Sequence, residues 1–171
     1  MRAQEEGATL EEVIVTAEKR AASLQDTPAG VAAIGGDDLF ARAITDQSML
    51  TRVVRGLLLG DQGGTGLFFI RGIGQTQGAA NSQPAVAVNL NGVYWSRVMG
   101  ITPLFDLERV EVLPGPQGTL WGRNAAGGAI NFVTRRPEQE FGGELMLEAG
   151  DYDLLHATGV VNGPVTDRLA F

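Results

Sequence analysis

The chain contains no cysteine. That excludes disulfides, thiolate metal sites and cysteine nucleophiles. It has one histidine, His156, and one lysine, Lys19. Lys19 lies far from any glycine loop, so no Walker phosphate-binding loop can be drawn. Gly72-Ile73-Gly74 lacks the third glycine of a dinucleotide fingerprint, because Gln77 stands there. Glu108 and Glu111 fall on opposite faces of a strand and form no acid–base dyad. His156 sits in a strand pattern with no partner for catalysis. The residues therefore argue against an enzyme, a resident metal and a cofactor. No apolar run approaches the ~20 residues of a membrane-spanning helix. The net charge of −7 opposes nucleic acid as a partner, since such domains carry a basic face.

What is abundant is glycine, with 24 of 171 residues, roughly twice the usual ~7%. Turns and close backbone contacts are favoured over long helices. Hydrophobic residues make up 44%, enough for a core. Positive charge is almost all arginine, which suits fixed bidentate contacts with carboxylates. A G+C-rich coding sequence gives the same bias.

Residues 1–12 are polar and acidic, and the opening "MRAQEE" reads as a mature start with Ala3-Gln4 resembling a cleavage junction. Val13, Ile14, Val15 and Thr16 form a short β-prone run. Such a run can add to another protein's sheet edge, or it can be the first strand of the fold. "GVAAIGG" reads as a strand. Two helix starts follow, with Asp37 or Asp38 as the first cap and Thr45 or Asp46 as the second. Leu39, Ala43, Met49, Leu50 and Val53 give helical spacing. Residues 60–66, "GDQGGTG", read as a flexible loop. "LFFIRG" is a buried strand, and "AVAVNLNGVYW" a strand with an Asn91-Gly92 turn. In "FDLERVEVL", Leu107, Arg109, Glu111 and Leu113 alternate with Glu108, Val110 and Val112, as in a sheet with one buried side. Pro114-Gly115-Pro116 and Gly127-Gly128 bracket an exposed arc before the strand "GAINFVTRRP". From residue 140 the pattern is strand, Asp-Tyr-Asp turn, strand, turn, strand. Leu145 and Leu147 point one way, and Glu144, Met146 and Glu148 the other. Transmembrane barrel strands alternate in this way, and so do ordinary amphipathic hairpins.

Taken together, these segments resemble the plug domain of TonB-dependent outer-membrane receptors. "EEVIVTA" (Glu11–Ala17) is similar to a TonB box. "LFFIRGIG" (Leu67–Gly74) and "VNLNGVY" (Val88–Tyr94) are similar to central plug segments. "FDLERVEVLPGPQGTLWGRNAAGGAINFVTRRP" (Phe105–Pro137) is the most specific stretch. Pro114 departs from the arginine usual in the family, and Arg55 from a proline. Asn91 and Trp121 are milder departures.

The resemblance implies an α+β plug domain, a small mixed sheet with short helices, followed by the first antiparallel strands of a transmembrane β-barrel. Its boundaries are a flexible N-terminus at 1–10, the TonB box at 11–17, the plug at 18–137 and the start of the barrel at 138–171. Two strands and part of a third fit after residue 140. A closed barrel needs many more, so the chain reads as a fragment. The implied function is energy-coupled uptake of a scarce nutrient, such as a ferric siderophore, across the outer membrane of a Gram-negative bacterium. The alternative is a free-standing plug-like binding module without a barrel. The implied TonB-binding residues are Glu12, Val13, Ile14, Val15, Thr16 and Ala17. Ligand-facing loops would present Arg71, Gln75, Gln77, Asn81, Gln83, Tyr94, Trp95 and Arg97. Plug–barrel contacts would come from Arg109, Arg123, Arg135 and Arg136.

Overall fold

The computed structural model describes residues 14–15, 22–23, 30–76, 83–95 and 104–171. Its centre is a five-stranded mixed sheet in the order β3-β9-β10-β7-β8. The strands are β3 (Ala32–Gly35), β7 (Val86–Leu90), β8 (Val93–Tyr94), β9 (Leu107–Pro114) and β10 (Gly128–Thr134). All neighbours are antiparallel except β10 and β7, which run parallel. At the N-terminus β1 (Ile14–Val15) pairs antiparallel with β2 (Ala22–Ser23). A second sheet joins β4 (Leu57–Gln62), β5 (Thr65–Ile70) and β6 (Ile73–Gly74). The helices are short: α1 (Gly36–Ala41), α2 (Leu50–Val53) and α3 (Gly118–Trp121). The α+β expectation holds.

β9 departs from the one-sided strand its alternation predicts, because it is buried on both faces. Val110 and Val112 join Ile130, Phe132, Val86, Phe68 and Ile70 in the main core. On the other face Leu113 packs with Ala87, Ala129, Trp121, Ala125 and Val15. Leu107 also leaves the face that strict alternation assigns it. The register with β10 shifts between Val133 and Thr134, and Leu107 turns into the main core. A bulge does this, since an extra residue flips all that follows.

Residues 60–66 are a β-hairpin and not a loose loop. Strand β4 enters, Gly63 and Gly64 turn with φ of 62° and 81°, and β5 leaves. Two successive positive φ values make the turn whose twist suits a two-residue hairpin. The Asn91-Gly92 turn between β7 and β8 appears as expected, with φ of 50° and 79°. α1 is capped by Gly35 with no side-chain bond, so Asp37 and Asp38 are not its caps. It ends before Ala43, whose φ is 49°, and the helical spacing breaks there. α2 is capped by Met49 with no side-chain bond, so neither Thr45 nor Asp46 is its cap; ahead of it Asp46 Oδ1 accepts from the amides of Ser48 (2.7 Å) and Met49 (3.1 Å).

The arc from Gly115 to Gly127 is not simply exposed. It folds into α3 and buries Trp121 and Ala125. Gln117 N–H donates to the Ala125 carbonyl (2.8 Å) and Gly115 N–H to that of Gly127 (3.1 Å). The arc closes at Gly128, whose φ is +148° and whose missing Cβ would lie 2.4 Å from the Leu113 carbonyl oxygen. Gly128→Ala is therefore expected to cost about 1–3 kcal/mol, read as a lower denaturant midpoint. An unchanged midpoint would show that this backbone is free to move.

After Pro137 the chain forms a hairpin of β11 (Gly142–Gly150) and β12 (Leu154–Asn162), then a short hairpin of β13 (Pro164–Thr166) and β14 (Leu169–Ala170). The third strand is thus replaced by a small turn-back. Two nine-residue strands at ~3.4 Å per residue reach the ~25–30 Å of a bilayer's apolar layer.

Candidate functional site

Four places matter: the N-terminal strand, the loops at one end of the sheet, the arginines, and the C-terminal hairpin. In the first, Glu12, Val13, Thr16 and Ala17 lie outside the described residues. Ile14 pairs with Ser23 and Val15 with Ala22. Val15 is fully buried in the cluster with Leu113, Trp121 and Ala125. Ile14 and Val15 thus serve as a strand of this fold, with the Val15 side chain anchored in that cluster.

Of the loop residues, Gln77, Asn81 and Arg97 lie outside the described residues. Arg71 sits exposed in the turn after β5 with φ of 52°, and its N–H donates to the Gly56 carbonyl (2.7 Å). Gln75 is half-buried and Gln83 exposed. Tyr94 is 44% exposed, and its hydroxyl accepts from Asn124 Nδ2 (3.1 Å). Trp95 is half-buried, with its Nε1 enclosed and unpartnered. Both loops leave one end of the sheet, where β7 starts and β8 finishes. There Gly127 N–H donates to the Ala85 carbonyl (2.7 Å).

The four arginines have different surroundings. Arg123 and Arg136 are exposed. Arg109 lies inside the plug, with Nε donating to Glu111 Oε1 (2.8 Å) and Nη1 paired with Glu108. Glu111 is wholly buried. Its Oε2 accepts from Asn131 Nδ2 (3.2 Å), and Asn131 Oδ1 accepts from Asn89 Nδ2 (3.0 Å). Register explains this ladder: Asn131 is paired across the sheet with both Glu111 and Asn89, so one face of three strands presents matching polar groups. Sequence reasoning missed it. The available signal was an asparagine on each of two strands beside a strand carrying Arg-x-Glu.

Arg135 joins the plug to the hairpin. Its Nη2 pairs with Asp37 of α1 (2.7 Å) and its Nη1 with Glu144 of β11 (2.6 Å). The hydrogen bond to Glu144 raises the Arg135 pKa above its ordinary value. Partial burial opposes that, and the charges of Glu144, Asp37 and Asp106 reinforce it. A base with a raised pKa contributes its stabilisation below its unfolded value and loses it only above the folded one. For arginine both lie beyond working pH, so the guanidinium end of this contact is permanently charged.

The hairpin's faces differ sharply. Register places Gly143, Leu145, Leu147 and Ala149 beside Val161, Gly159, Ala157 and Leu155. That outer face is wholly apolar, and Leu145, Leu147, Leu155 and Val161 are 59–80% exposed. Glu144, Met146, Glu148, His156, Thr158 and Val160 share the other face. Part of it closes over a cleft against α1, lined by Leu39, Phe40, Met146, Thr158 and Val160.

Residues 23–129 match the family model described as the TonB-dependent receptor plug domain. The chain belongs to that family. It is 31% identical to the iron-regulated outer membrane virulence protein of Vibrio cholerae over 98% of this chain and 28% of that protein. It is 32% identical to the pesticin receptor of Yersinia enterocolitica over 98% of this chain and 25% of that receptor. The chain superposes on the ferric yersiniabactin uptake receptor FyuA of Yersinia pestis with a TM-score of 0.75. The identity there is 30%, covering 81% of this chain and 22% of that one. The ferripyoverdine receptor of the Pseudomonas aeruginosa outer membrane shares the fold at a TM-score of 0.74 and 19% identity, over 91% of this chain and 20% of that one. The plug chain therefore spans about a quarter of the length of the curated relatives it matches.

Proposed function

We propose that this plug closes a 22-strand-class barrel in the outer membrane of a Gram-negative bacterium and takes part in TonB-coupled uptake of a ferric siderophore. The observation that carries the reading is the join at Arg135. A plug of the family continues directly into a hairpin with an apolar outer face and a polar inner one, and Arg135 pairs with that inner face. A barrel is the closed arrangement that leaves no strand edge in lipid. The relatives' names, which speak of ferric yersiniabactin uptake and iron regulation, support an iron-chelate ligand.

In this reading residues 11–17 are the TonB box. Their backbone donors and acceptors pair with TonB once the strand leaves the plug. Arg71, Gln75, Gln77, Asn81, Gln83, Tyr94, Trp95 and Arg97 line the ligand side, where amides and two arginines offer donors to an anionic chelate. Arg135 and the exposed Arg123 and Arg136 meet carboxylates of the barrel wall. Arg109, already paired within the plug, contributes to that contact less directly. No step of the cycle requires covalent chemistry on the plug.

The test is Ile14→Pro in the receptor carrying this plug. Proline removes a backbone donor from a strand that must pair edge to edge. Energised accumulation of radio-iron catecholate or hydroxamate siderophores is expected to fall to the level of cells lacking TonB, while binding at the cell surface persists. Wild-type accumulation by this variant would remove the TonB box from residues 11–17.

A further inference from the structure

The closed arc from Gly115 to Gly127 touches both ends of the proposed cycle. On one side Trp121 and Ala125 pack in the small cluster that buries Val15. On the other, Asn124 donates from Nδ2 to the Tyr94 hydroxyl (3.1 Å). Tyr94 is the last residue of β8, where a candidate ligand loop begins. Asn124 and Ala125 are adjacent, and the bonds Gln117 to Ala125 and Ala125 to Gly122 (3.2 Å) hold them in one rigid turn. Movement of one is therefore movement of the other.

A second feature sets Asn124 apart. Its Oδ1 is buried and has no hydrogen-bond partner. Among the described residues the only other such side-chain atom is Trp95 Nε1, next to Tyr94. Buried polar atoms are almost always satisfied, so an unmade bond marks a place where another arrangement can gain one. The amide is thus held by the Tyr94 bond alone and has a reason to turn when Tyr94 moves.

We propose that Asn124 is a positioning residue that transmits a shift of Tyr94 to the Val15 anchor through the Asn124–Ala125 turn. The proposal rests on reading Ile14–Val15 as part of the coupling strand. Displacing Tyr94 frees the Asn124 amide, the turn shifts, and the seat of Val15 loosens without opening the main sheet.

Hydrogen exchange on the full receptor tests this with no ligand present. Tyr94→Phe deletes only the hydroxyl. Exchange in the peptide spanning Ile14 and Val15 is expected to rise roughly 2- to 10-fold, the span of one ordinary hydrogen bond. Peptides containing Val112 and Ile130 are expected to stay unchanged. Asn124→Ala is expected to act in the same direction. Unchanged exchange at Ile14 and Val15 in both variants would overturn the relay, and so would an equal rise in all three peptides, which would mean plain loss of stability. Such a result leaves the TonB-box reading standing, because that reading fails only if Ile14→Pro still accumulates siderophore.

Discussion

Glu111→Ala is expected to destabilise the plug by about 1–3 kcal/mol. Glu111 is fully buried, and Arg109 is 8% exposed. Removing the carboxylate takes one of two paired carboxylates from Arg109, leaving its Nη1 on the exposed Glu108, and leaves Asn131 Nδ2 without its acceptor. Both losses fall on groups already stripped of water, where leaving a bond unmade costs more than the modest net gain of making it. Glu111→Gln separates the two effects, since it keeps an acceptor for Asn131 and deletes only the charge. It is expected to cost less than the alanine variant. Urea unfolding followed by circular dichroism reads both, with a lower midpoint at unchanged slope. A loss below ~1 kcal/mol for Glu111→Ala would mean that water reaches Arg109 and that the ladder is solvated.

That ladder also shows where the sequence stops being legible. The alternation in "FDLERVEVL" correctly predicts a strand. It places Arg109 and Glu111 on one face, which they share in the fold. It cannot say that this face is covered, because the cover comes from distant pieces: Val15, Ala87, Ala129 and Trp121. Nor can it see the bulge at Val133 and Thr134 that sends Leu107 to the other side. Single-strand periodicity carries no information about a neighbour's register. Gly63-Gly64 misled for a related reason: a glycine pair fits a flexible loop and a tight hairpin equally, and β4 before it lacks strict alternation. The Asn91-Gly92 turn was readable because its chemistry is local. At the candidate site, the tyrosine and tryptophan of "NGVYW" stood out by residue type. Asn124 did not, since its partner Tyr94 lies 30 residues away in sequence. Arg135 was legible as an arginine in a contact-rich stretch. Its two carboxylates were not, because Asp37 lies 98 residues upstream and Glu144 in the following hairpin.

Leu147→Arg is the variant that decides which side of the hairpin meets lipid. Leu147 is 70% exposed and stands opposite Ala157 on the apolar face. It sits near the middle of the nine-residue strand β11, three residues short of its end at Gly150. Near a bilayer midplane an outward arginine costs about 2–4 kcal/mol. Barrel assembly in the full receptor is therefore expected to fall, seen as loss of the heat-shifted band when outer membranes are run with and without boiling. Met146→Arg is the matched control. It adds the same charge one residue away, on the face shared with Glu144, Glu148 and Thr158. Carboxylates and water are available there, so assembly is expected to persist. Equal loss in both variants would mean that the hairpin is packed on both faces. Equal tolerance would mean that it never enters the membrane, and the plug would then be a binding module. The expected asymmetry follows from a period of two. A one-residue step along β11 exchanges lipid for lumen, and the same charge that the inner face can pair becomes, on the outer face, an ion with no partner in hydrocarbon.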